Sequence, residues 1–249
     1  MNKKEVQKIF SRKYIISHPY DKIFTDFQEA YAFLRTSYRN EYFYKNTIFN
    51  RHVVGKRSTR TTTALQELPI ASSIADFILI NGNAVVYEIK SEVDSFDRLA
   101  SQLEDYYKVF GYVYLVTNEE REDIALNILK DTPTGLYVLR KNEYLSECKE
   151  AIWNDTNFSS KDMFQLMRKY EFENILKDEG FKLPNVPPAF YYKACYKIWL
   201  SIPVGKLHRH VIKQLKLRKK TDFNYKKIAY EVRSLYYFYN LENKIKENV

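Results

Sequence analysis

Apolar residues follow two different spacings along the first 140 positions. Helical spacing occurs over 25–53, Ser95–Phe110 and Glu119–Lys130. Short apolar runs typical of strands cover 64–70, 73–80, 84–91, 112–116 and 135–140. The order is helix, three strands, helix, strand, helix, strand, which predicts an α/β fold with a mixed central sheet.

Strand-like patterns end near residue 145, and helical spacing dominates afterwards. The helices predicted there cover 160–178, 188–201, 205–220 and 224–245. Three prolines between residues 182 and 188 interrupt the pattern. The many aromatic side chains of this part need burial, so packed helices are expected and not a disordered tail. We predict a first domain over residues 1–150 and a helical C-terminal region over residues 151–249.

One predicted hairpin carries three charged residues in otherwise apolar strands. Its turn is Asn81-Gly82-Asn83, with Asp76 in the first strand and both Glu88 and Lys90 in the second. A three-residue loop would make Asp76 face Glu88, with Lys90 on the same side. A two-residue loop would instead separate the two carboxylates onto opposite faces.

Two facing carboxylates repel each other, and two arrangements would relieve that repulsion. A divalent cation such as Mg²⁺ or Mn²⁺ prefers such hard oxygen ligands. Lys90 would then orient or deprotonate a water at the cation, or stabilise the charge on a phosphate. The alternative is a structural ion pair in which Lys90 neutralises a buried carboxylate. The hairpin alone favours neither arrangement.

Two further segments could contribute to the same site. Gln102 and Tyr106 are one turn apart on the side of their helix that should pack on the sheet. A glutamine in that position needs a polar partner. Glu41, in an upstream helix, is a candidate third carboxylate, and an ordinary exposed glutamate is the alternative.

The charge of the chain is concentrated near its end. Among 249 residues, 40 are Lys or Arg and 31 are Asp or Glu, which gives a net charge of +9. From residue 206 onwards there are 12 basic and four acidic residues. This distribution suggests a polyanionic partner, and a solvated lysine-rich surface is the alternative. The candidate nucleic-acid-binding residues are Lys56, Arg57, Arg60, Lys213, Lys216, Arg218, Lys219 and Lys220.

Several classes of protein are disfavoured by features the sequence lacks. The two cysteines, Cys148 and Cys195, supply neither a disulfide framework nor a zinc site. No apolar run approaches the roughly 18 residues of a membrane span, and the N-terminus lacks a signal-peptide pattern. We therefore expect a cytoplasmic protein with no membrane partner.

The hairpin and its neighbours resemble the PD-(D/E)XK nuclease superfamily. Asp76 followed by Glu88-Ile89-Lys90 looks like its bipartite metal motif, although Ala75 stands where the superfamily name has proline. Gln102-Leu-Glu-Asp-Tyr106 resembles the Gln-x-x-x-Tyr helix of RecB-like members. The segments 40–46 and 88–94 look like those of a poorly characterised bacterial and phage branch. The resemblance covers residues 25–130 and implies a restriction-endonuclease-like αβββαβ core.

The resemblance also implies roles for individual residues. Asp76 and Glu88 would bind Mg²⁺ or Mn²⁺, with the Ile89 carbonyl and Glu41 as further ligands. Lys90 would act in catalysis, and Gln102 and Tyr106 would position substrate. The implied function is a metal-dependent nuclease, acting on DNA more readily than RNA, in phage defence or DNA processing. A non-catalytic nucleic-acid-binding adaptor and a purely structural protein are the alternatives, and the helical region is a candidate surface for a protein partner.

Overall fold

The computed structural model describes residues 20–56, 58–218 and 225–239. Its α-helices are α1 (Tyr20–Ser37), α2 (Glu41–Ile48), α3 (Leu99–Tyr107), α4 (Glu122–Leu129), α5 (Ser160–Leu166), α6 (Lys169–Asp178), α7 (Pro188–Trp199), α8 (Val204–Leu217) and α9 (Arg233–Tyr239). A π-helical segment, Phe49–Gly55, continues α2, and short 3₁₀ turns cover Glu119–Arg121, Tyr225–Lys227 and Tyr230–Val232.

Six strands form a single mixed sheet in the order in which they occur along the chain. They are β1 (Thr63–Ile70), β2 (Ser73–Asn81), β3 (Asn83–Ile89), β4 (Tyr112–Asn118), β5 (Gly135–Leu139) and β6 (Leu145–Lys149). The pairs β1–β2, β2–β3 and β5–β6 are antiparallel, whereas β3–β4 and β4–β5 are parallel. Helices α3 and α4 make the two parallel crossovers. The predicted α/β fold and its αβββαβ order are confirmed.

Apolar side chains cover both faces of the sheet. Alternate residues of β2 from Phe77 onwards, and of β3, enter two separate clusters, because successive strand side chains point to opposite faces. Helices α3 to α8 pack on one face, and α1, α2 and residues 225–237 pack on the other. The helical C-terminal region therefore shares its cores with the sheet. Cys195 is buried in the first of these clusters.

Several element boundaries differ from the predicted ones; the helix predicted over 224–245, for example, consists of two 3₁₀ turns followed by α9 within residues 225–239. The helix predicted over 25–53 is broken at 38–40, where the Asn40 side chain accepts the Phe43 N–H and starts a new helix. The helix predicted from Ser95 begins at Leu99, after a turn in which Asp94 accepts the N–H and hydroxyl of Ser91. The helix predicted over 160–178 is two helices, separated at 167–168.

The prediction that strands end near residue 145 is wrong. Strand β6 runs over Leu145–Lys149 at the edge of the sheet. Only Leu145 of its five residues is buried, so its sequence carries little of the apolar signal of an interior strand.

Candidate active site

The hairpin of β2 and β3 has the register that the three-residue loop predicts. Paired residues run from Asn81–Asn83 to Phe77–Tyr87, and the pairing ends one residue before Asp76 and Glu88. Gly82 occupies the tip with φ +78°, a conformation that glycine adopts without strain. At the other end of the hairpin, Asp76 Oδ2 accepts the Ile89 N–H at 2.8 Å.

A network of hydrogen bonds joins the predicted residues of β3 and α3. Lys90 Nζ lies 3.1 Å from Glu88 Oε1 and donates to Gln102 Oε1 at 2.8 Å. Tyr106 Oη lies 2.6 Å from Glu88 Oε2. The helical spacing therefore correctly predicts that Gln102 and Tyr106 face the charged hairpin. Both charged side chains of this pair are buried, with Glu88 1% and Lys90 6% exposed.

The main chain around Lys90 is also fixed. The Lys90 N–H donates to the Val116 carbonyl at 2.9 Å, and the Lys90 carbonyl accepts the Thr117 hydroxyl at 2.8 Å. Strand β4 thus holds the residue just beyond the end of β3. A long, flexible lysine side chain is consequently anchored at both its main chain and its amino group.

Asp105 attaches α3 to the turn between β1 and β2. Its Oδ2 accepts the Ser72 N–H at 3.1 Å, the Ser72 hydroxyl at 2.6 Å and the Ser73 hydroxyl at 2.7 Å. Lys108 donates to Oδ1 at 2.6 Å. This attachment fixes the helix that presents Gln102 and Tyr106 to the hairpin.

We expect Asp105→Asn to destabilise the protein by about 1–3 kcal/mol at pH 7, because several hydrogen bonds to a buried carboxylate are lost. Burial raises the pKa of Asp105, but the bonds from Lys108, Ser72 and Ser73 outweigh it and lower the pKa to about 2. The folded state therefore holds fewer protons here than the unfolded state, whose pKa is about 3.9. The contribution of the Asp105 carboxylate to the free energy of unfolding is complete above pH 4 and is lost as the pH falls through 2.

Urea unfolding of the wild type and Asp105→Asn between pH 2 and 7 measures this difference. The exposed Asp97→Asn is the matched control and should follow the wild-type curve. Stability curves of the wild type and Asp105→Asn that stay parallel over the whole range would contradict the role of Asp105.

Asp76 and Glu88 disfavour each other's ionised forms. Burial, followed by the charges of Glu88 and Glu41, raises the pKa of Asp76 to about 8. Burial also raises the pKa of Glu88, and the bonds from Tyr106 and Lys90 offset this only in part. The hairpin thus holds two carboxyl groups whose joint ionisation calls for more positive charge than Lys90 provides.

Glu41, the predicted third carboxylate, already forms an ion pair with a lysine. Its carboxylate is ion-paired with Lys45, one turn along α2, and Lys45 also lies 3.4 Å from Glu67 Oε1. Lys45 is only 6% exposed. Burial lowers the pKa of Lys45, but the neighbouring charges of Glu41, Asp76 and Glu67 outweigh it and raise the pKa. Sequence reasoning missed Lys45, although its spacing of four residues from Glu41 was a usable signal.

Glu67 is a second residue that sequence reasoning missed. The pairs Gln66–Phe77 and Leu68–Ala75 place it opposite Asp76, on the side of β2 away from Glu88. The strand pairing is interrupted there, and Glu67 has φ +52°, which is unusual for a residue with a side chain. Acidic residues of the adjacent strands β1 and β2 thus lie at one level of the sheet.

The donor set of the hairpin fits a divalent cation held by two carboxylates. Asp76 and Glu88 are hard oxygen donors, and they repel each other as they stand. Over the described ranges, no three Asp, Glu, His or Cys side chains come together as a ready metal-binding group. Glu41 would have to leave Lys45 to become a ligand, and the Ile89 carbonyl stays a predicted ligand.

A cleft of about 330 Å³ borders this group of residues. Its lining includes Glu41, Lys45, Glu67 and Ser91 from the site side and Phe238 from α9. The cleft makes the Glu41–Lys45 side of the site accessible from solvent, whereas Glu88 and Lys90 lie beneath the surface.

The predicted nucleic-acid-binding residues divide into three groups. Lys56, Arg60 and Lys213 are exposed, and Lys216 is half-buried. Arg57, Lys219 and Lys220 lie outside the described residues. Arg218 requires a correction, because its side chain is 8% exposed and already bound. It donates to both carboxylate oxygens of Glu171 at 2.7 Å and is a structural residue, not an available phosphate ligand.

Acidic residues at the C-terminal end of α6 and just after it neutralise part of the basic C-terminal region. Lys206 and His210 both contact Glu179, and Lys213 lies 3.1 Å from Asp178. The net charge of +8 that the 12 basic and four acidic residues give from residue 206 onwards therefore overstates the positive charge that this region presents to solvent. In the part of the chain described, no helix has the length and apolar character to cross a membrane.

Comparisons with known proteins identify a family to which the chain belongs. No functionally curated protein matches the sequence. The SPO1766 protein of unknown function from Silicibacter pomeroyi is similar over 49% of this chain and 85% of its own, with 13% identity and a TM-score of 0.33. The family model of bacteriophage P4 protein cII matches residues 35–235, about four fifths of the 249 residues. The chain belongs to the bacteriophage P4 protein cII family.

Proposed function

We propose that this protein is a Mg²⁺-dependent nuclease that resembles PD-(D/E)XK enzymes and cleaves phosphodiester bonds, most readily in DNA. The observation that carries the proposal is the buried group in which Glu88 contacts both Lys90 and Tyr106 while Asp76 Oδ2 accepts the N–H of the next residue, Ile89. Two carboxylates and one lysine held this closely suit phosphodiester hydrolysis.

Each residue of the group has a distinct task in the proposed reaction. Asp76 and Glu88 would hold the cation, which supplies Lewis-acid chemistry when bound. Lys90, held by its bond to Gln102, would contact the phosphate or orient the attacking water through its ammonium group. Tyr106 would keep the Glu88 carboxylate in one orientation.

A cleavage assay in Mg²⁺, Mn²⁺ and excess EDTA tests the proposal. Linear, circular and single-stranded DNA and single-stranded RNA of the same sequence serve as substrates. We expect cleavage with either metal, none in EDTA, and faster cleavage of DNA than RNA. Metal-independent cleavage, or none of any substrate with either metal, would contradict the proposal.

A second candidate function is a nucleic-acid-binding adaptor that keeps the fold without cleavage. The contacts that favour it are the Lys45–Glu41 and Lys90–Glu88 ion pairs, because lysines already neutralise two of the carboxylates. Titration with Mn²⁺ separates the two functions. The nuclease proposal expects binding at millimolar concentration or below, and the adaptor expects none.

A further inference from the structure

A groove lies beside the tip of the β2–β3 hairpin, away from the carboxylates. It has a volume of about 580 Å³, within the range of ligand sites. The hairpin tip forms one wall and α8 forms the other, and the aromatic residues Trp153 and Phe158 lie between them. The lining consists of Gly82, Asn83, Ala84, Trp153, Asp155, Phe158, Gly205, His208, Arg209, Ile212, Lys213 and Lys216.

Trp153 is a large aromatic surface held in a fixed position. Its ring lies against Gly111, where an added Cβ would come within 2.3 Å of the ring. Tyr112 contacts it edge-on with ring centres 5.3 Å apart. The residue is nevertheless 40% exposed. An indole that is fixed yet exposed is suited to stacking on a flat ligand.

The α8 wall carries a row of basic residues. Arg209, Lys213 and Lys216 are spaced by four and three residues, so they lie along one side of the helix over about 10 Å. Arg209 and Lys213 are exposed. Lys213 contacts Asp178 in an exposed pair, which is weak and can be exchanged for a phosphate.

We propose that this groove binds a single strand of nucleic acid, with phosphates along Arg209, Lys213 and Lys216 and a base stacked on Trp153. A basic groove that follows the backbone, combined with an aromatic platform, is the arrangement used by proteins that bind single strands. The 10 Å row matches about three nucleotides at 3.4 Å each. Asp155, at the same groove, would disfavour phosphate on the Trp153 side and favour a base there.

The groove and the carboxylates lie at opposite ends of one hairpin. Gly82 and Asp76 are six positions apart along the hairpin, which corresponds to about 20 Å. The loop with Lys56 and Arg60 is at the groove end, because Thr63 pairs with Ile80 and its hydroxyl donates to the Lys216 carbonyl at 2.7 Å. A strand bound in the groove would need about six further nucleotides to reach Asp76. The inference rests on the proposed action on nucleic acid, but it concerns binding alone.

Fluorescence anisotropy of labelled dT₁₂ and rU₁₂ with the full chain, in EDTA, tests the groove without requiring cleavage. Trp153→Ala should weaken binding of both oligonucleotides by between about 5- and 160-fold, because a stacked base is lost. Arg209→Ala combined with Lys213→Ala should reduce the slope of log K against log salt by about 1.4, or 0.7 per lost contact. Phe190→Ala and Lys193→Ala, exposed residues of α7, are the matched controls and should bind as the wild type does.

The outcomes separate the groove from the nuclease proposal. Weakened binding by the groove variants supports the groove even if the wild type cleaves nothing. Wild-type affinity of Trp153→Ala, an unchanged salt slope in the double variant, or tighter binding of a 12-base-pair duplex than of dT₁₂ would overturn the groove, whatever the result of the cleavage assay. Circular dichroism of each variant identifies any that has lost its fold, and Trp153→Phe, which keeps a stacking ring, then replaces Trp153→Ala with a smaller expected loss.

Discussion

Glu88→Gln is expected to lower metal-dependent cleavage at least about 100-fold. Glutamine keeps the size of the side chain and an oxygen to accept from Tyr106, but it removes the negative charge that would hold the cation. The cation would stabilise the transition state by several kcal/mol, and the loss of that stabilisation lowers the rate at least about 100-fold. The fold should persist, because Lys90 keeps its bond to Gln102 and Asp76 can ionise once the Glu88 charge is gone.

Initial rates on single-stranded DNA in Mg²⁺, together with urea unfolding of each protein, measure this effect. Glu104→Gln is the matched control, because Glu104 is an exposed residue of the same helix that carries Gln102 and Tyr106. It should cleave at the wild-type rate. A folded Glu88→Gln protein with wild-type activity would remove Glu88 from the proposed chemistry.

Arg218→Met is expected to destabilise the protein by about 3–5 kcal/mol, the usual cost of removing one partner from a buried ion pair. Glu171 is 1% exposed and would remain buried without its main cationic partner. Burial raises the pKa of Glu171, but Arg218 and the Arg168 N–H outweigh it and lower the pKa. Without the charge of Arg218, an ionised Glu171 would raise the free energy of the folded state and so lower its stability.

Urea unfolding at pH 7 measures the loss, with Lys216→Met on the same helix as the control. The control should change the free energy of unfolding by less than about 0.5 kcal/mol. Adding Glu171→Gln to Arg218→Met should recover part of the stability, since the buried charge is then absent. Unchanged stability of Arg218→Met, with weakened DNA binding instead, would return Arg218 to the nucleic-acid-binding residues.

Local patterns predicted much of the fold and of the site. The turn at Asn81-Gly82-Asn83 set the register of the hairpin as far as the Phe77–Tyr87 pair, because a glycine tip between alternating strands has few other solutions. Helical spacing placed Gln102 and Tyr106 on the face that meets β3. In both cases the residues that must meet are close in sequence or belong to adjacent elements.

The remaining features depend on partners that are distant along the chain. Nothing near Arg218 indicates that Glu171 lies beside it, 47 residues away. Glu67 reaches Lys45 only through the packing of α2 on the β1 side of the sheet. Strand β6 is an edge strand whose polar sequence carries little of the usual pattern. A count of charges along the sequence also could not show that Asp178 and Glu179, at the end of α6, neutralise basic residues of α8.

The most direct test of the central claim is to locate a cation bound to the protein. A crystal of the wild-type protein grown with Mn²⁺ can be measured at the manganese absorption edge. The proposed function predicts an anomalous peak within about 2.5 Å of carboxylate oxygens of both Asp76 and Glu88. An empty site at millimolar Mn²⁺, with Lys90 still 3.1 Å from Glu88, would contradict it.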